Sequence, residues 1–316
     1  MTLKELSKKL ILKLLRNELI LLFIIKMKTI LVFGATGFLG SNLVKFLLAK
    51  ELKVIIYKHK SLRLLSNVTS KNLIIFDKLN HRLIKKYKID TIFHLASKQT
   101  KGNPTFKDFY EVNVRITKKI IQISKNINVK QFIYVSSTSV YSNVKKNPDP
   151  KNYYALTKYI AEKLIEIELH KSDVQTCIVR FPSIYGKDSN GGIVETLYKL
   201  AKKNRQIKVY NNGKTIRNLI HVSSAVKMLY YACINRSKLP KNEIFLAGSK
   251  DSLKLLTIAK LIVQYTKSKS KIIPVHKVLT SDFDVKVDSS KAKKIVGFIP
   301  LSIKNGLKNY LKNYEE

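Results

Sequence analysis

Three glycines at three-residue spacing, Gly34, Gly37 and Gly40, close an apolar run at Thr29 to Phe33 and open a helical stretch at Leu39 to Ala49. Few folds use such a turn. Gly34 permits the tight exit from a strand, Gly37 lets the backbone come close to a pyrophosphate, and Gly40 lets helix and strand pack closely. The helix start then offers free N–H groups and the positive end of its dipole to an anion. A second apolar run, Lys53 to Tyr57, follows about 20 residues on, as a dinucleotide-binding turn requires. Gly34, Thr36, Gly37, Phe38, Leu39 and Gly40 are the expected cofactor contacts of this turn.

The rest of the chain alternates in the same way. Further strand candidates are Leu73 to Phe76, Thr91 to Leu95, Gln131 to Val135 and Thr176 to Arg180, with helical patterns between them at Lys107 to Ile127 and Tyr154 to His170. Short buried strands alternating with helices give an α/β fold, a parallel sheet covered on both faces. Pro148 and Pro150 mark a break near 143–152, and after Arg180 the pattern turns irregular at Pro182, Gly186, Gly191, Gly192 and Gly213. The expected organisation is a Rossmann doubly wound sheet over 27–180, returning near 219–248, and a smaller α/β substrate-binding lobe over 181–316.

Composition narrows the function classes. The 316 residues hold only Cys177 and Cys233, with no Cys/His cluster at ligand spacing, so no metal site is expected and a reducing, cytoplasmic setting is. Sixty Lys+Arg against 21 Asp+Glu give a net charge of +39. The cations are scattered, with no long basic block or aromatic-interleaved tract, so specific nucleic-acid binding is not expected, although the positive field favours an anionic ligand. Residues 1–26 pair Leu3, Leu6, Leu10, Ile11 and Leu14 with Lys4, Lys8, Lys9 and Lys13. Their longest apolar run, Leu19 to Ile25, is far short of the roughly 20 residues of a membrane span. An amphipathic helix on a membrane surface is one reading of this extension. A start assigned ahead of Met27 is the preferred one.

The glycine spacing resembles the opening of the extended short-chain dehydrogenases/reductases, the nucleotide-sugar epimerases, dehydratases and reductases. The likeness runs from about Lys28 to Leu311. It is carried by Asp90 to Ala96, Asn113-Val114, Val135-Ser136-Ser137, Tyr154 to Lys158, Arg217 to Val222 and Asp288 to Lys294. By this resemblance Asp77 contacts the adenine, Leu95 and Ala96 line the cofactor, Asn113 is a helix-embedded structural or water-holding position beside it, and Arg217 contacts a substrate diphosphate. A homodimer through the helices near 107–127 and 154–170 is implied as well. The chain departs from the pattern at Lys58, where members that use NAD carry an acid for the ribose 2′-hydroxyl. A cation there suits a 2′-phosphate, so NADP(H) is expected over NAD(H).

The family's chemistry uses a tyrosine four residues before a lysine, a spacing that puts both on one helix face. The ammonium is expected to lower the phenol pKa so that the tyrosine can shuttle a proton to a sugar hydroxyl, while Ser or Thr holds the same oxygen. With 52 lysines in the chain, six tyrosines satisfy the spacing: Tyr141, Tyr154, Tyr159, Tyr198, Tyr210 and Tyr265. Only Tyr154 with Lys158 opens a long helix just after a strand end, where a parallel sheet presents its ligands. Val140-Tyr141 points to Ser137 as the hydroxyl partner. Dehydratases place an Asp and a Glu directly after that hydroxyl, where this chain has Thr138 and Ser139, so dehydration lacks its acid and base. The expected activity is reduction of a 4-keto sugar nucleotide by the Ser137, Tyr154 and Lys158 set. A 4-epimerase with tightly held NAD is the alternative. From another class comes a non-catalytic cofactor sensor or RNA-binding relative, against which the intact trio speaks. His94 and His221 are expected to be structural.

Overall fold

A computed structural model describes residues 28–58, 61–78, 81–141, 147–279 and 283–312. The N-terminal extension, His59 and Lys60 lie outside the described residues. Strand β1 (Thr29–Phe33) is buried along its whole length. Its side chains alternate between two cores, Ile30 and Val32 on one face and Leu31 and Phe33 on the other, the period of two that a doubly covered strand imposes. Helix α1 (Phe38–Ala49) returns the chain along the first face, leading to β2 (Lys53–Tyr57) and β3 (Leu73–Phe76).

After helix α2 (His81–Lys86), strand β4 (Thr91–His94) joins the other side of β1. A long helical stretch follows, α3, made of an α turn at Phe106–Phe109, a π segment at Tyr110–Arg115 and an α segment at Ile116–Asn126. Sequence periodicity shows one helix here; the wide turn inside it was not legible. Strand β5 (Gln131–Ser137), helix α4 (Tyr153–Leu169) and strand β6 (Gln175–Phe181) complete this side.

The chain then forms β7 (Ser183–Tyr185), α5 (Ile193–Lys202), β8 (Ile207–Val209), β9 (Ile216–Arg217), β10 (Leu219–His221) and α6 (Val222–Ile234). Next come β11 (Asn242–Leu246), β12 (Leu253–Lys254), α7 (Leu255–Tyr265), β13 (Ile272–Pro274), α8 (Ser290–Val296) and α9 (Ile303–Lys312). The main sheet has the parallel order β11-β6-β5-β4-β1-β2-β3. Its strand order reverses between β1 and β4, and the crevice beyond the carboxyl ends of those strands is where such a sheet takes a ligand. Helices α1 and α6 contribute to the core on one face, α3 and α4 to the core on the other. The remaining strand pairs are β10-β7, β12-β9 and β13-β8, and a third core draws on α5, α7 and α9. Among the described residues no helix is long and apolar enough to cross a membrane.

Candidate active site

The glycine turn has the shape its spacing requires. Gly34 sits at φ +83, and a Cβ there would lie 2.5 Å from the Ala96 nitrogen. A Cβ on Gly40 would lie 2.1 Å from the Gly34 carbonyl oxygen, so strand, turn and helix meet backbone to backbone. At Gly37 the same addition meets only the Gly34 oxygen, at 3.4 Å. Gly37 is also the N-cap of α1 and has no side-chain cap, so the helix's leading N–H groups face outward. A cradle open on that side fits a pyrophosphate. Leu95 closes the wall, its nitrogen donating to the Phe33 carbonyl at 2.9 Å.

At the end of β5 and the start of α4, Tyr154 hydrogen-bonds with Ser137, and Lys158 follows one turn further along the helix. Asn152 caps α4 by accepting from the Ala155 nitrogen at 2.9 Å, which sets Tyr154 in the first turn. Tyr154 is half-buried, with its ring 6.1 Å from that of Phe109. Burial raises its pKa, while hydrogen bonding with Ser137, Gln99 and Ser97 acts in the opposite sense. Ser137, at the end of β5, accepts from the Ser139 nitrogen at 3.1 Å and from the Ser139 hydroxyl at 2.9 Å. Positions 138 and 139 carry hydroxyls.

Lys158 corrects one expectation. Its Nζ donates to the Val135 carbonyl at 2.5 Å and stands 4.1 Å from the centre of the Tyr134 ring. Burial pushes its pKa down to about 7, with the Glu162 carboxylate pulling the other way. The Tyr154 phenol is therefore not lowered by the lysine here; desolvation dominates it.

Asn113 works as a clasp inside the π segment. Its side-chain oxygen accepts from the Lys98 nitrogen at 2.8 Å and the Ser97 hydroxyl at 3.1 Å, and its amide nitrogen donates to Thr157 Oγ1 at 3.0 Å. One amide thereby ties the loop after β4 to the helix that carries Tyr154. Thr117 donates to the Asn113 carbonyl at 2.6 Å, and its hydroxyl oxygen lies 2.7 Å from His94 Nε2. His94 is wholly buried and its pKa falls to about 3, from burial first and Lys158 second. It stands as a neutral core residue. His221, likewise depressed by burial, to about 4, lies 2.7 Å from the Ser223 hydroxyl at the start of α6. Among the described residues no group of three or more His, Cys, Asp or Glu is placed to hold a metal ion.

The remaining predicted positions lie further out. Lys58 follows β2, and its Nζ forms an exposed ion pair with Asp77 at 3.4 Å. Arg217 is on β9, where its guanidinium donates to the Phe283 carbonyl. Sequence reasoning missed Ser97 and Gln99 at Tyr154, and also a buried ion pair beneath the site, Glu162 with Arg180. The spacing held a clue to Glu162, which lies four residues beyond Lys158 on the same helix face. Nothing along the chain linked it to Arg180.

The family whose model matches residues 30–248 is described as the NAD dependent epimerase/dehydratase family. A UDP-N-acetyl-alpha-D-glucosaminuronate decarboxylase from Bacillus cytotoxicus is 29% identical over 92% of this chain and 98% of that protein. A CDP-paratose 2-epimerase from Salmonella typhi is 25% identical over 89% of this chain and 96% of that one. Among solved structures, UDP-glucuronic acid 4-epimerase from Bacillus cereus, in complex with UDP-glucuronic acid and NAD, superposes with a TM-score of 0.80 at 20% identity. That match covers 91% of this chain and 99% of the epimerase. It is a likeness of fold.

Proposed function

The chain belongs to the NAD dependent epimerase/dehydratase family, and from that premise we propose that it is a nucleotide-sugar epimerase that keeps its dinucleotide bound. The observation that carries this reading is the hydrogen bond of Tyr154 with Ser137 at the end of β5, with Lys158 one helical turn on, in a chain whose first strand ends in a glycine cradle open to a pyrophosphate. Epimerisation replaces the reduction expected from Lys58. That lysine shares its charge with Asp77, which weakens the argument for a 2′-phosphate, and the similar solved 4-epimerase carries NAD.

Gly34, Thr36, Gly37, Phe38, Leu39 and Gly40 would hold the dinucleotide, with Leu95, Ala96 and Asn113 along its wall and Lys58 and Asp77 at its adenosine end. When bound, the dinucleotide supplies hydride exchange with the sugar carbon. The protein's part is proton handling and orientation. Ser137 holds the reacting hydroxyl oxygen of the sugar, and Tyr154 takes the proton from that oxygen and later returns it. Lys158 stands one helical turn beyond Tyr154, its Nζ held by the Val135 carbonyl. Arg217 offers a planar fork to the diphosphate. The homodimer is part of the same proposal, supported by the exposed aromatic cluster of Phe106, Tyr110 and Tyr153 on α3 and α4.

The purified protein, incubated with a panel of UDP-, dTDP-, GDP- and CDP-sugars, is expected to interconvert one epimer pair with no net change at the nicotinamide absorbance band. Denaturation should release NAD, and light scattering should give twice the chain mass. Stoichiometric consumption of NADPH with a 4-keto sugar would restore the reductase reading. Absence of turnover throughout the panel would sink both.

A further inference from the structure

Helix α4 places a third group in line with the two just described. Tyr154, Lys158 and Glu162 follow one another at four-residue steps, and the third is an acid buried to 2% exposure. Its carboxylate is fully engaged. Oε1 accepts from the Ser136 hydroxyl and from Arg180 Nε at 3.0 Å, and Oε2 accepts from Arg180 Nη2 at 2.5 Å. The guanidinium then uses its other arm to donate to the Tyr141 hydroxyl and lies 4.9 Å from that ring's centre. Residues on either side of Ser137, one before it and four after it, are thus tied to a single buried ion pair. The carbonyl two residues before it, on Val135, accepts from Lys158.

We propose that the Glu162–Arg180 pair is the positioning element of the catalytic site, fixing Ser137 against Tyr154 and backing Lys158 with a buried carboxylate. The proposal rests on the reading of the trio given above. Stability gives no reason for such a pair, since well-packed apolar residues often serve a core equally well or better. The location does give one, because the pair meets both the strand end that bears Ser137 and the helix face that bears Lys158. Several charged or titratable groups surround the Lys158 amine. They are His94 on β4, neutral through burial; Tyr134 on β5, pushed up by burial; Tyr154 and Glu162 on α4; and Arg180 on β6, across the carboxylate. Glu162 supplies the negative charge that opposes the burial of the ammonium. Without it Lys158 would lose its proton at lower pH.

The test is Glu162→Gln beside the double variant E162Q/R180M, with the native protein as reference. In E162Q we expect kcat to fall by about 100-fold, the scale of a small misplacement of catalytic groups, with KM for the sugar little changed. The break in the kcat profile set by Lys158 should move to lower pH. Phenolate titration, read as the ultraviolet difference between each protein and its Y154F counterpart, should move to higher pH as Ser137 loses its hydrogen bond to Tyr154. The double variant removes both charges and should recover the native melting temperature while kcat and both titrations stay shifted. Native kcat and native titrations in E162Q would overturn the proposal, and so would their full recovery in the double variant. If E162Q fails to fold, the double variant decides alone. Inactivity of the native protein would instead count against the epimerase reading.

Discussion

Tyr154→Phe is expected to lower kcat by about 10²–10⁴-fold, the range that a positioned proton-transfer group contributes, while leaving the fold intact. The ring remains, with its edge contact to Phe109 at 6.1 Å; only the hydroxyl shared with Ser137, Gln99 and Ser97 is lost. Burial raises the phenol's pKa, so the ionised form is scarce near neutral pH and the native activity should show a limb at alkaline pH where the phenol titrates. In the phenylalanine variant that limb should vanish from the residual rate. Dinucleotide binding should persist, because the cradle at Gly34 to Gly40 does not involve this side chain. A Y154F protein that retains native kcat would place the proton elsewhere.

The glycine turn yields the second large effect, and its three positions should part company. In Gly34→Ala, a left-handed backbone at φ +83 is added to a contact at 2.5 Å from the Ala96 nitrogen. Overpacking and the left-handed penalty together are expected to cost about 2–4 kcal/mol of stability. Gly40→Ala forces a methyl to 2.1 Å from the Gly34 oxygen and should destabilise comparably. Gly37→Ala is different, since its methyl would meet only one oxygen, at 3.4 Å, and its φ is −81. That variant should melt like the native protein yet bind the dinucleotide at least about tenfold more weakly, a loss of about 1.4 kcal/mol. Thermal melts and cofactor titrations on the three proteins check this. Equal melting temperatures in all three would show the turn to be looser than its geometry implies.

Much of the sheet was legible because buried parallel strands write themselves as short apolar runs. β1, β2 and β3 fall where the runs at Thr29, Lys53 and Leu73 put them. The glycine turn was legible because its glycines answer to backbone geometry rather than to packing. The π segment left no trace, since one extra residue in a helical turn barely disturbs an apolar stripe, and Asn113 reads there as an ordinary polar residue. The choice of Tyr154 among six spacings depended on its place after β5. The ion pair beneath the site was invisible for another reason. Glu162 on α4 and Arg180 on β6 meet at 2.5 Å because α4 packs over β5 and β6, whose register sets Ser136 beside Arg180, and no local pattern encodes that. Lys158's attachment to the Val135 carbonyl is likewise a product of tertiary burial, and it corrected the simple picture of an ammonium that lowers its neighbour's pKa.

The Asn113 clasp has a mechanical corollary. Because one amide holds both the Ser97–Lys98 loop and Thr157 of α4, those two walls should move together. Gly191 and Gly192, just ahead of α5, have φ of +112 and +97, and a Cβ on either would touch nothing within 4 Å. Hydrogen exchange should find the clasped amides slow, and Gly192 quicker than Gly191, whose N–H donates to the Glu195 carboxylate at 2.5 Å. A ligand would then meet its proton-handling groups on a wall that moves as one piece.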